Sequence, residues 1–321
     1  MKTIAAGASQ LEFVACALCG ANDAQPVLTT TDIEFDGREA FTIVACRHCG
    51  LRFLNPRPTP AAIGRHYPAA YYTHHLLDPL EEERIYRQPL SLVNRWAPAG
   101  PLLDIGAGDG GFLAALARRE RPDLHGLEAD PVAWEVASKS RGLDVALGSF
   151  PDVLPAGRDF ATMVMLETIE HLHRPLEALQ AIHDRLAPGG RLIVSTPNIQ
   201  GLEFRLLGRH SVSLQVPRHL TFFDPASLSA ACHQTGLRVL HLETSAATDG
   251  FTRSLWLAAR RRVGTVRRRP TGHTAAAATF QPHSWRRRMH QGLDALLLPI
   301  GQLLAARRLG PTLFLVAERP E

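Results

Sequence analysis

From residue 101 onward, short apolar runs alternate with amphipathic ones, and this alternation restricts the possible folds more than any other feature of the chain. Strand-like runs occur at PLLDIG, LHGLEAD, LDVALGS, DFATMVMLE and RLIVSTPN, with helix-like runs between them. Successive strands joined by helices form a parallel sheet that is covered on both faces. The pattern therefore predicts an α/β fold with a doubly wound, mostly parallel sheet that binds ligands at the carboxyl ends of its strands.

Two of the predicted helices have recognisable ends. Asp130 precedes Pro131 at the start of PVAWEVASKSRG, which is typical of an N-cap followed by proline in the first turn. The second helix is expected over IEHLHRPLEALQAIHDRLAPGG, residues 169–190, with glycine as its C-terminal cap.

The glycine-rich stretch GAGDGG follows the first strand of this pattern and can be read in two ways. With Gly106, Gly108 and Gly111 it is G-x-G-x-x-G, the loop that holds a dinucleotide pyrophosphate. With Gly106, Gly108 and Gly110 it is G-x-G-x-G, the loop of methyl-donor enzymes. The spacing of the glycines alone does not choose between these two cofactors.

The charges around the loop favour the second interpretation. Four acids surround it, namely Asp104, Asp109, Glu128 and Asp130, and they would repel a pyrophosphate dianion. S-adenosylmethionine carries a sulfonium and an ammonium group, which nearby carboxylates stabilise. Glu128 stands twenty residues after Gly108, where an acid accepts the ribose hydroxyls of either cofactor. We therefore predict S-adenosylmethionine as the cofactor.

Four of the five cysteines form two C-x-x-C pairs, Cys16 with Cys19 and Cys46 with Cys49, and 26 residues separate the pairs. Each pair is followed by glycine, which lets the turn close without a steric penalty. Two such pairs supply four thiolates for a closed, structural zinc site. Disulfides and isolated redox pairs remain alternatives, but without a secretory signal the pattern favours zinc.

The motifs DIGAGDGG, GLEADP, LETIEHLHRP, LAPGGRLIVSTPN and PRHLTFF together resemble those of class I S-adenosylmethionine-dependent methyltransferases, in particular the small-molecule group that includes ubiquinone-pathway enzymes. The resemblance covers about residues 100–245. The four-cysteine start is similar to that of deoxysugar C-methyltransferases and of methyltransferases from polysaccharide and natural-product clusters. The resemblance implies a seven-stranded Rossmann-like sheet that closes with an antiparallel strand at PTLFLVAER.

The same resemblance implies the site residues. The expected cofactor contacts are the methionine-side loop of Asp104, Gly106, Ala107, Gly108 and Gly110, the ribose acid Glu128 with Ala129, the adenine neighbours Ser149 and Phe150, and the methyl-donor pocket of Leu166 and Glu167. Ordinary core packing is an equal alternative for Phe150 and Leu166, and Asp109 could simply cap the next helix. His219 and His171 compete as the base, with His219 preferred.

We divide the chain into a zinc-ribbon-like module (1–57), a helical linker (58–98), a methyltransferase core (99–247), an Arg-rich helical insert (248–309) and the last strand (310–321). Within the insert, residues 251–290 contain ten arginines and no acid. The alternatives for this segment are a solvated cap helix, a dimer contact, or peripheral contact with an anionic membrane or acidic ligand through residues 253–288.

The expected acceptor is a small molecule, a sugar or a lipid-linked intermediate, methylated on oxygen or carbon. No apolar run reaches the length of a membrane span and no signal-peptide core is present, so we expect a cytoplasmic protein, with peripheral binding to the inner face of the membrane as a further option.

Two other enzyme classes and a noncatalytic zinc-binding adaptor are alternatives to this interpretation. An RNA methyltransferase would use the zinc module and the arginines, but these arginines lack the interleaved aromatics of a base-stacking surface. LETIEH also replaces the Asn/Asp-Pro-Pro-aromatic motif of nucleic-acid amino-methylating enzymes. An NAD-dependent sugar oxidoreductase is disfavoured by the acidic loop and by the lack of a Tyr-x-x-x-Lys pair, since the only lysines are Lys2 and Lys139. The intact cofactor loop disfavours the adaptor.

Overall fold

The computed structural model describes residues 10–35, 37–68, 77–154, 159–247, 251–255 and 297–321. The strands within these residues are β1 (Leu11–Glu12), β2 (Ala24–Thr31), β3 (Ala40–Cys46), β4 (Arg52–Leu54), β5 (Arg57–Pro58), β6 (Leu102–Ile105), β7 (Leu124–Glu128), β8 (Val145–Leu147), β9 (Phe160–Leu166), β10 (Leu186–Pro197), β11 (Thr221–Phe222), β12 (Arg238–Thr244) and β13 (Thr312–Glu318). The helices are α1 (Pro79–Ile85), α2 (Arg87–Trp96), α3 (Gly111–Arg118), α4 (Pro131–Glu135), α5 (Pro175–Arg185), α6 (Leu202–Leu207) and α7 (Pro225–Gln234). Residues 251–255 and 297–306 are also helical.

The main sheet has seven strands in the order β12-β13-β10-β9-β6-β7-β8. All five strands from β6 to β10 pair in parallel with their neighbours from this group. In contrast, β13 lies between β10 and β12 and is antiparallel to both. The predicted Rossmann-like sheet and its antiparallel closing strand are therefore confirmed. Because the strand order reverses between β6 and β9, a crevice for ligands opens at their carboxyl ends.

Helices cover both faces of this sheet. Met163 and Met165 of β9 lie in one buried apolar cluster with residues of α5 and α7, while Val164 lies in a second cluster with residues of α2 and α3. Adjacent side chains of a strand point to opposite faces, so the two clusters are the two sides of one sheet. Burial on both faces explains why β9 is almost entirely apolar in sequence and why β6 is apolar apart from Asp104.

The predicted helix ends were right at one helix and wrong at the other. The Asp130 carboxylate accepts a hydrogen bond from the Ala133 amide at 2.8 Å and so caps α4, as predicted. The helix expected over residues 169–190 is shorter at both ends, because Ile169–His171 is a separate 3-10 turn and α5 spans only Pro175–Arg185.

The end of that predicted helix belongs to a strand. Leu186 already pairs with Phe160 of β9, and the strand then bulges before Arg191. A β-carbon at Gly190 would lie 2.7 Å from the Ala187 carbonyl oxygen, and Gly189 has a φ of +71°. These glycines therefore shape a β-bulge and do not cap a helix.

The N-terminal strands form a second sheet in the order β11-β4-β3-β2. Its edge strand β11 comes from the middle of the chain, with Thr221 opposite Phe53. Cys16 and Cys46 are buried in the same apolar cluster as Met163. The predicted domain boundaries stay predictions, but the N-terminal module shares both a sheet and a core with later residues.

Most of the Arg-rich segment 253–288 lies outside the described residues. Within the part of the chain that the structure describes, no helix combines the length and apolarity required to cross a bilayer.

Candidate active site

The glycine loop lies between β6 and α3, at the point where the strand order reverses. Gly106, Gly108 and Gly110 have φ angles of +77°, +57° and +78°. Side chains rarely tolerate this left-handed conformation, whereas glycine adopts it freely. Gly111 has no positive φ and begins α3, so the three glycines in the left-handed conformation have the spacing G-x-G-x-G. A β-carbon at Gly108 would meet no atom within 4 Å, which means that the loop borders open space there.

Asp104 is a buried carboxylate next to this loop. Its Oδ1 atom has no hydrogen-bond partner among the described residues. Burial, and then the negative charge of Glu128, raise the pKa of Asp104 to about 7. An orphaned carboxylate oxygen is costly unless a polar or cationic group joins it, so this oxygen fits a cationic ligand.

Glu128 holds the loop against the end of β7. Its Oε2 accepts a hydrogen bond from the Gly108 amide at 2.7 Å, and its Oε1 accepts one from the Asp130 amide at 2.7 Å. Each carboxylate oxygen can accept a further hydrogen bond. Glu128 can therefore shape the loop and still accept ribose hydroxyls.

The other two acids around the loop have structural partners. Asp109 accepts from the Gly111 amide at 3.0 Å and pairs with Arg141 at 3.2 Å, so it stabilises the turn before α3. The N-cap position of α3 is Gly110 and not Asp109. Arg141 also pairs at 2.7 Å with the buried Glu82 of α1. Of the four acids expected around the loop, Asp104 and Glu128 therefore remain as candidates for contact with a cofactor.

The remaining predicted cofactor residues border the same end of the sheet. Ala129 and Ser149 are exposed after β7 and β8, and Ala107 is buried in the loop. Phe150 is buried in the first apolar cluster and Leu166 packs against the second, so both have the core contacts that were the alternative to a cofactor role.

Glu167 is exposed at the end of β9 with a φ of +52°. Ser195 of β10 donates a hydrogen bond to its Oε1 atom at 3.0 Å. A positive φ in a residue other than glycine is uncommon and marks a constrained turn at this edge.

His171 and His219, which are far apart in sequence, are in contact. Their rings pack edge to face with centroids 4.6 Å apart. The Glu170 Oε1 atom lies 3.9 Å from the His219 Nε2 atom and has no hydrogen-bond partner among the described residues. Ligand atoms of Glu170, His171 and His219 all lie within 4.8 Å of one another, close enough to hold a metal ion.

The hydrogen bonds of the two histidines define which nitrogen is basic. Nδ1 of His219 lies 3.0 Å from the Ser213 carbonyl oxygen, and Nδ1 of His171 lies 3.1 Å from the Arg218 carbonyl oxygen. A carbonyl only accepts, which assigns the proton to Nδ1 and the lone pair to Nε2 in each ring. The Tyr67 hydroxyl, 2.9 Å from His171 Nδ1, then acts as a second acceptor for that N–H group. Burial lowers the pKa of His171 to about 4 and that of His219 well below its ordinary value, so both rings are neutral near pH 7.

Sequence reasoning missed several members of this cluster. Glu170 is fully buried, and its Oε2 accepts from the Thr196 hydroxyl at 2.9 Å. Burial, and then the charge of Glu167, raise the pKa of Glu170 well above its ordinary value. The hydroxyl oxygen of Tyr67 lies 2.9 Å from His171 Nδ1. The only signal for Glu170 was its position directly before His171 in ETIEH.

The four predicted zinc ligands converge. The Sγ atoms of Cys16 and Cys49 are 3.4 Å apart, those of Cys19 and Cys46 are 3.5 Å apart, and all four lie within 4.8 Å of one another. These distances exceed a disulfide bond of about 2.05 Å. They approach the edge of roughly 3.8 Å expected for a tetrahedron with zinc–sulfur bonds of 2.3 Å. Four thiols in this arrangement fit a zinc ion.

Both cysteine pairs are held in the same type of turn. The Gly20 amide donates to the Cys16 carbonyl at 2.8 Å, and the Gly50 amide donates to the Cys46 carbonyl at 3.0 Å. Gly20 and Gly50 have φ angles of +73° and +78°, as the turn-closing role predicted for them requires.

Comparisons with known proteins agree with this geometry. The sequence model of one family, described as a methyltransferase domain, matches residues 72–242. A ubiquinone biosynthesis O-methyltransferase of Ruegeria pomeroyi is 32% identical over 148 residues, which cover 42% of this chain and 59% of the relative. One from Dinoroseobacter shibae is 31% identical over 181 residues, which cover 51% of this chain and 72% of the relative. The chain thus spans less than two thirds of the Ruegeria protein.

A solved structure extends the likeness to more of the chain. Phosphoethanolamine N-methyltransferase 2 of Haemonchus contortus, in complex with S-adenosyl-L-methionine, covers 93% of this chain and 69% of its own with a TM-score of 0.50. Its sequence identity is 16%, so this likeness concerns the fold alone.

Proposed function

This chain belongs to the methyltransferase-domain family, and from that premise we propose that it methylates a hydroxyl oxygen of a small-molecule acceptor with S-adenosylmethionine as donor. When bound, S-adenosylmethionine supplies an electrophilic methyl group and leaves as S-adenosylhomocysteine. The acceptor oxygen forms a bond to the methyl carbon while the carbon–sulfur bond breaks, and the hydroxyl proton passes to a base on the protein. The enzyme gains most by holding the two reactants in line in a dry site.

The observation that carries the proposal is the orphaned Oδ1 atom of Asp104 beside the open glycine loop. A buried carboxylate oxygen in that place suits a cationic cofactor and opposes a pyrophosphate. In this proposal the cofactor is held by the residues expected from the sequence, namely Asp104, Gly106, Ala107, Gly108, Gly110, Glu128, Ala129, Ser149, Phe150, Leu166 and Glu167.

We assign the base to His219 ahead of His171. Both rings present a neutral Nε2 lone pair, which is the form that can accept a proton. His219 also lines a pocket beyond β10, whereas His171 contacts Tyr67 and the Arg218 carbonyl. The unpartnered Oε1 of Glu170 lies 3.9 Å from His219 Nε2, where it could accept a hydrogen bond from the protonated imidazole that forms during transfer.

The pocket beside Glu170 and His219 also has apolar walls, among them Ile199, Phe204 and Phe222. Its cavity volume of about 10 Å³ is room for roughly one water, so these walls must move apart before an acceptor can enter. We propose a hydroxylated aromatic acceptor because the relatives are named for ubiquinone biosynthesis, and apolar walls are compatible with such a ring.

The cofactor assignment is tested by calorimetry with S-adenosylhomocysteine, with NAD as the control ligand. We expect binding of the first and none of the second, and the reverse result would contradict the proposal. The base is tested by single-turnover methyl transfer to a catechol probe, 3,4-dihydroxybenzoate. His219→Ala should lose roughly 100-fold in rate with little change in S-adenosylhomocysteine affinity. If both His219→Ala and His171→Ala keep their rates, neither histidine is the base.

We also propose that the C-terminal region brings the protein to an anionic membrane at the cytoplasmic face. On the helix at residues 297–306, Leu298, Ile300 and Leu303 are 42%, 54% and 53% exposed, and the exposed Arg307 follows. Apolar side chains beside cationic ones suit the headgroup boundary of such a membrane. Changing Arg267, Arg268 and Arg269 to Gln should weaken binding to phosphatidylglycerol vesicles, most visibly at low salt, without changing cofactor affinity.

The four-cysteine cluster is proposed to hold one structural zinc ion. Four thiolates complete a tetrahedral shell and leave no position for a substrate. The ion would therefore stabilise the N-terminal module and take no part in methyl transfer.

A further inference from the structure

The loop between β2 and β3 reaches from the N-terminal module to the histidine cluster. Asp32, at the start of this loop, pairs with Arg218, the residue directly before His219. Nη1 of Arg218 lies 2.5 Å from Oδ2 of Asp32, and Nη2 donates to Oδ1 at 3.4 Å. The two residues are 186 positions apart in the sequence, so the pair joins two distant parts of the chain.

Arg218 is held on several sides although it is completely buried. Its Nη1 also donates to the His66 carbonyl at 3.2 Å, and its guanidinium carbon lies 4.9 Å from the centre of the Phe35 ring. Asp32 is equally constrained, because its Oδ1 accepts from the amides of Glu34 and Phe35 at 3.0 and 3.2 Å. The planar fork of the guanidinium therefore has a fixed position and orientation.

The backbone on either side of Arg218 positions both imidazoles. The Arg218 carbonyl accepts the Nδ1 proton of His171, and His219 follows directly in the chain. The next amide, that of Leu220, donates to the Glu170 carbonyl at 2.8 Å. A shift of the Arg218 side chain would therefore move the two rings and the turn that carries Glu170.

We propose that Asp32 and Arg218 form a positioning pair, through which the N-terminal module sets the orientation of His219 and His171 in the reaction centre. The inference rests on the proposed function, since it gives these rings a role in methyl transfer. A buried ion pair contributes little net stability compared with apolar side chains of similar size, because both charges lose their hydration. What it supplies here is a fixed geometry between two parts of the protein. Neither residue contacts the reactants in this proposal.

The test uses the full-length protein saturated with S-adenosylhomocysteine and follows the histidine ring nitrogens by NMR. His219→Gln and His171→Gln identify the two sets of signals. In the wild type both rings should show the Nδ1–H tautomer. Asp32→Asn should displace both sets of signals and lower kcat with the catechol probe at least tenfold, while KM and S-adenosylhomocysteine affinity change less than twofold.

A double variant, Asp32→Asn with Arg218→Met, separates positioning from stability. The Asn oxygen still accepts from the amides of Glu34 and Phe35, and Glu34, which lies 3.6 Å from Arg218, keeps its ion pair with Arg253. Because both charges of the buried pair are removed, thermal stability should return toward that of the wild type, and this variant also serves if Asp32→Asn alone fails to fold. Under the proposal its histidine signals stay displaced. If they return to their wild-type positions together with the stability, the pair is merely structural and the proposal is overturned.

The matched control is Glu12→Gln. Glu12 pairs with Arg57 at 2.8 Å, and Arg57 donates to the His173 carbonyl at 3.0 Å, so this pair also joins the module to the core. It should leave the signals of His219 and His171 unchanged, and equal displacement by both variants would overturn the inference. The NMR signals are measured without turnover, so the two hypotheses fail in different ways. If the histidines are not the base, the signals still move but the rate does not fall. If the pair does not position the rings, the signals stay in place.

Discussion

Replacing Glu128 by alanine should weaken S-adenosylhomocysteine binding by about 2 kcal/mol, or roughly 30-fold. In the proposal Glu128 accepts the ribose hydroxyls, and the change removes these charge-assisted hydrogen bonds to the ligand. It also removes the bonds from the amides of Gly108 and Asp130, each 2.7 Å long, which hold the loop. Such bonds contribute about 1.5–3 kcal/mol each. Glu128 is only partly buried, so water replaces part of the loss, and the glycine loop would no longer be fixed in its binding conformation.

Calorimetry on three variants tests this reasoning. Glu128→Gln keeps one accepting oxygen and should fall between the wild type and Glu128→Ala. Glu135→Gln changes an exposed acid that pairs with Lys139 and should bind like the wild type. If Glu128→Ala binds S-adenosylhomocysteine within twofold of the wild type, Glu128 neither holds the ribose nor shapes the loop for binding.

Three further predictions concern stability. Gly106→Ala should reduce the free energy of unfolding in urea by about 2 kcal/mol, because the φ angle is +77° and the new β-carbon would lie 2.5 Å from Thr168 Oγ1. The control is Gly64→Ala, whose β-carbon would meet no atom within 4 Å, and it should change the free energy of unfolding little. In the folded protein the pKa of Asp104 is about 7, which is above its ordinary value of 3.8, so the stability that Asp104 contributes is complete below pH 3.8 and is lost as the pH rises toward 7. The cofactor-free wild type should therefore lose stability relative to Asp104→Asn as the pH rises through this range. Urea titrations of both proteins at several pH values measure the difference. Elemental analysis should find about one zinc per chain in the wild type, and Cys46→Ser should lower both the zinc content and the melting temperature while S-adenosylhomocysteine still binds. A wild type without metal and with oxidised cysteines would contradict this prediction.

The fold was predictable because its signals are local. Strands β6 and β9 are short, largely apolar runs bounded by turn residues, and the cap at Asp130 lies beside the helix that it starts. The two glycine spacings could not be separated by pattern alone, since Gly110 and Gly111 are adjacent. They differ in backbone conformation, and only the structure shows that the positive φ belongs to Gly110.

The histidine cluster was only half predictable, because its members depend on contacts between distant residues. His171 and His219 stand out as titratable residues near the ends of strands, and both were proposed from the sequence. Glu170 resembles an ordinary surface acid until burial is known. The Asp32–Arg218 pair spans 186 positions, and no local pattern marks either residue. The early start of β10 was missed for a similar reason, because Leu186 is extended by its pairing with Phe160.

The pairing of β11 with β4 has a consequence for how the chain is made. Phe53 emerges from the ribosome about 170 residues before its partner Thr221. During that interval β4 presents an open strand edge, which is a site for unwanted association. A chain cut at residue 57 would leave such an edge on the N-terminal piece and an unpaired segment on the other. Grafting the four-cysteine module onto another methyltransferase would therefore require transfer of Thr221–Phe222 as well.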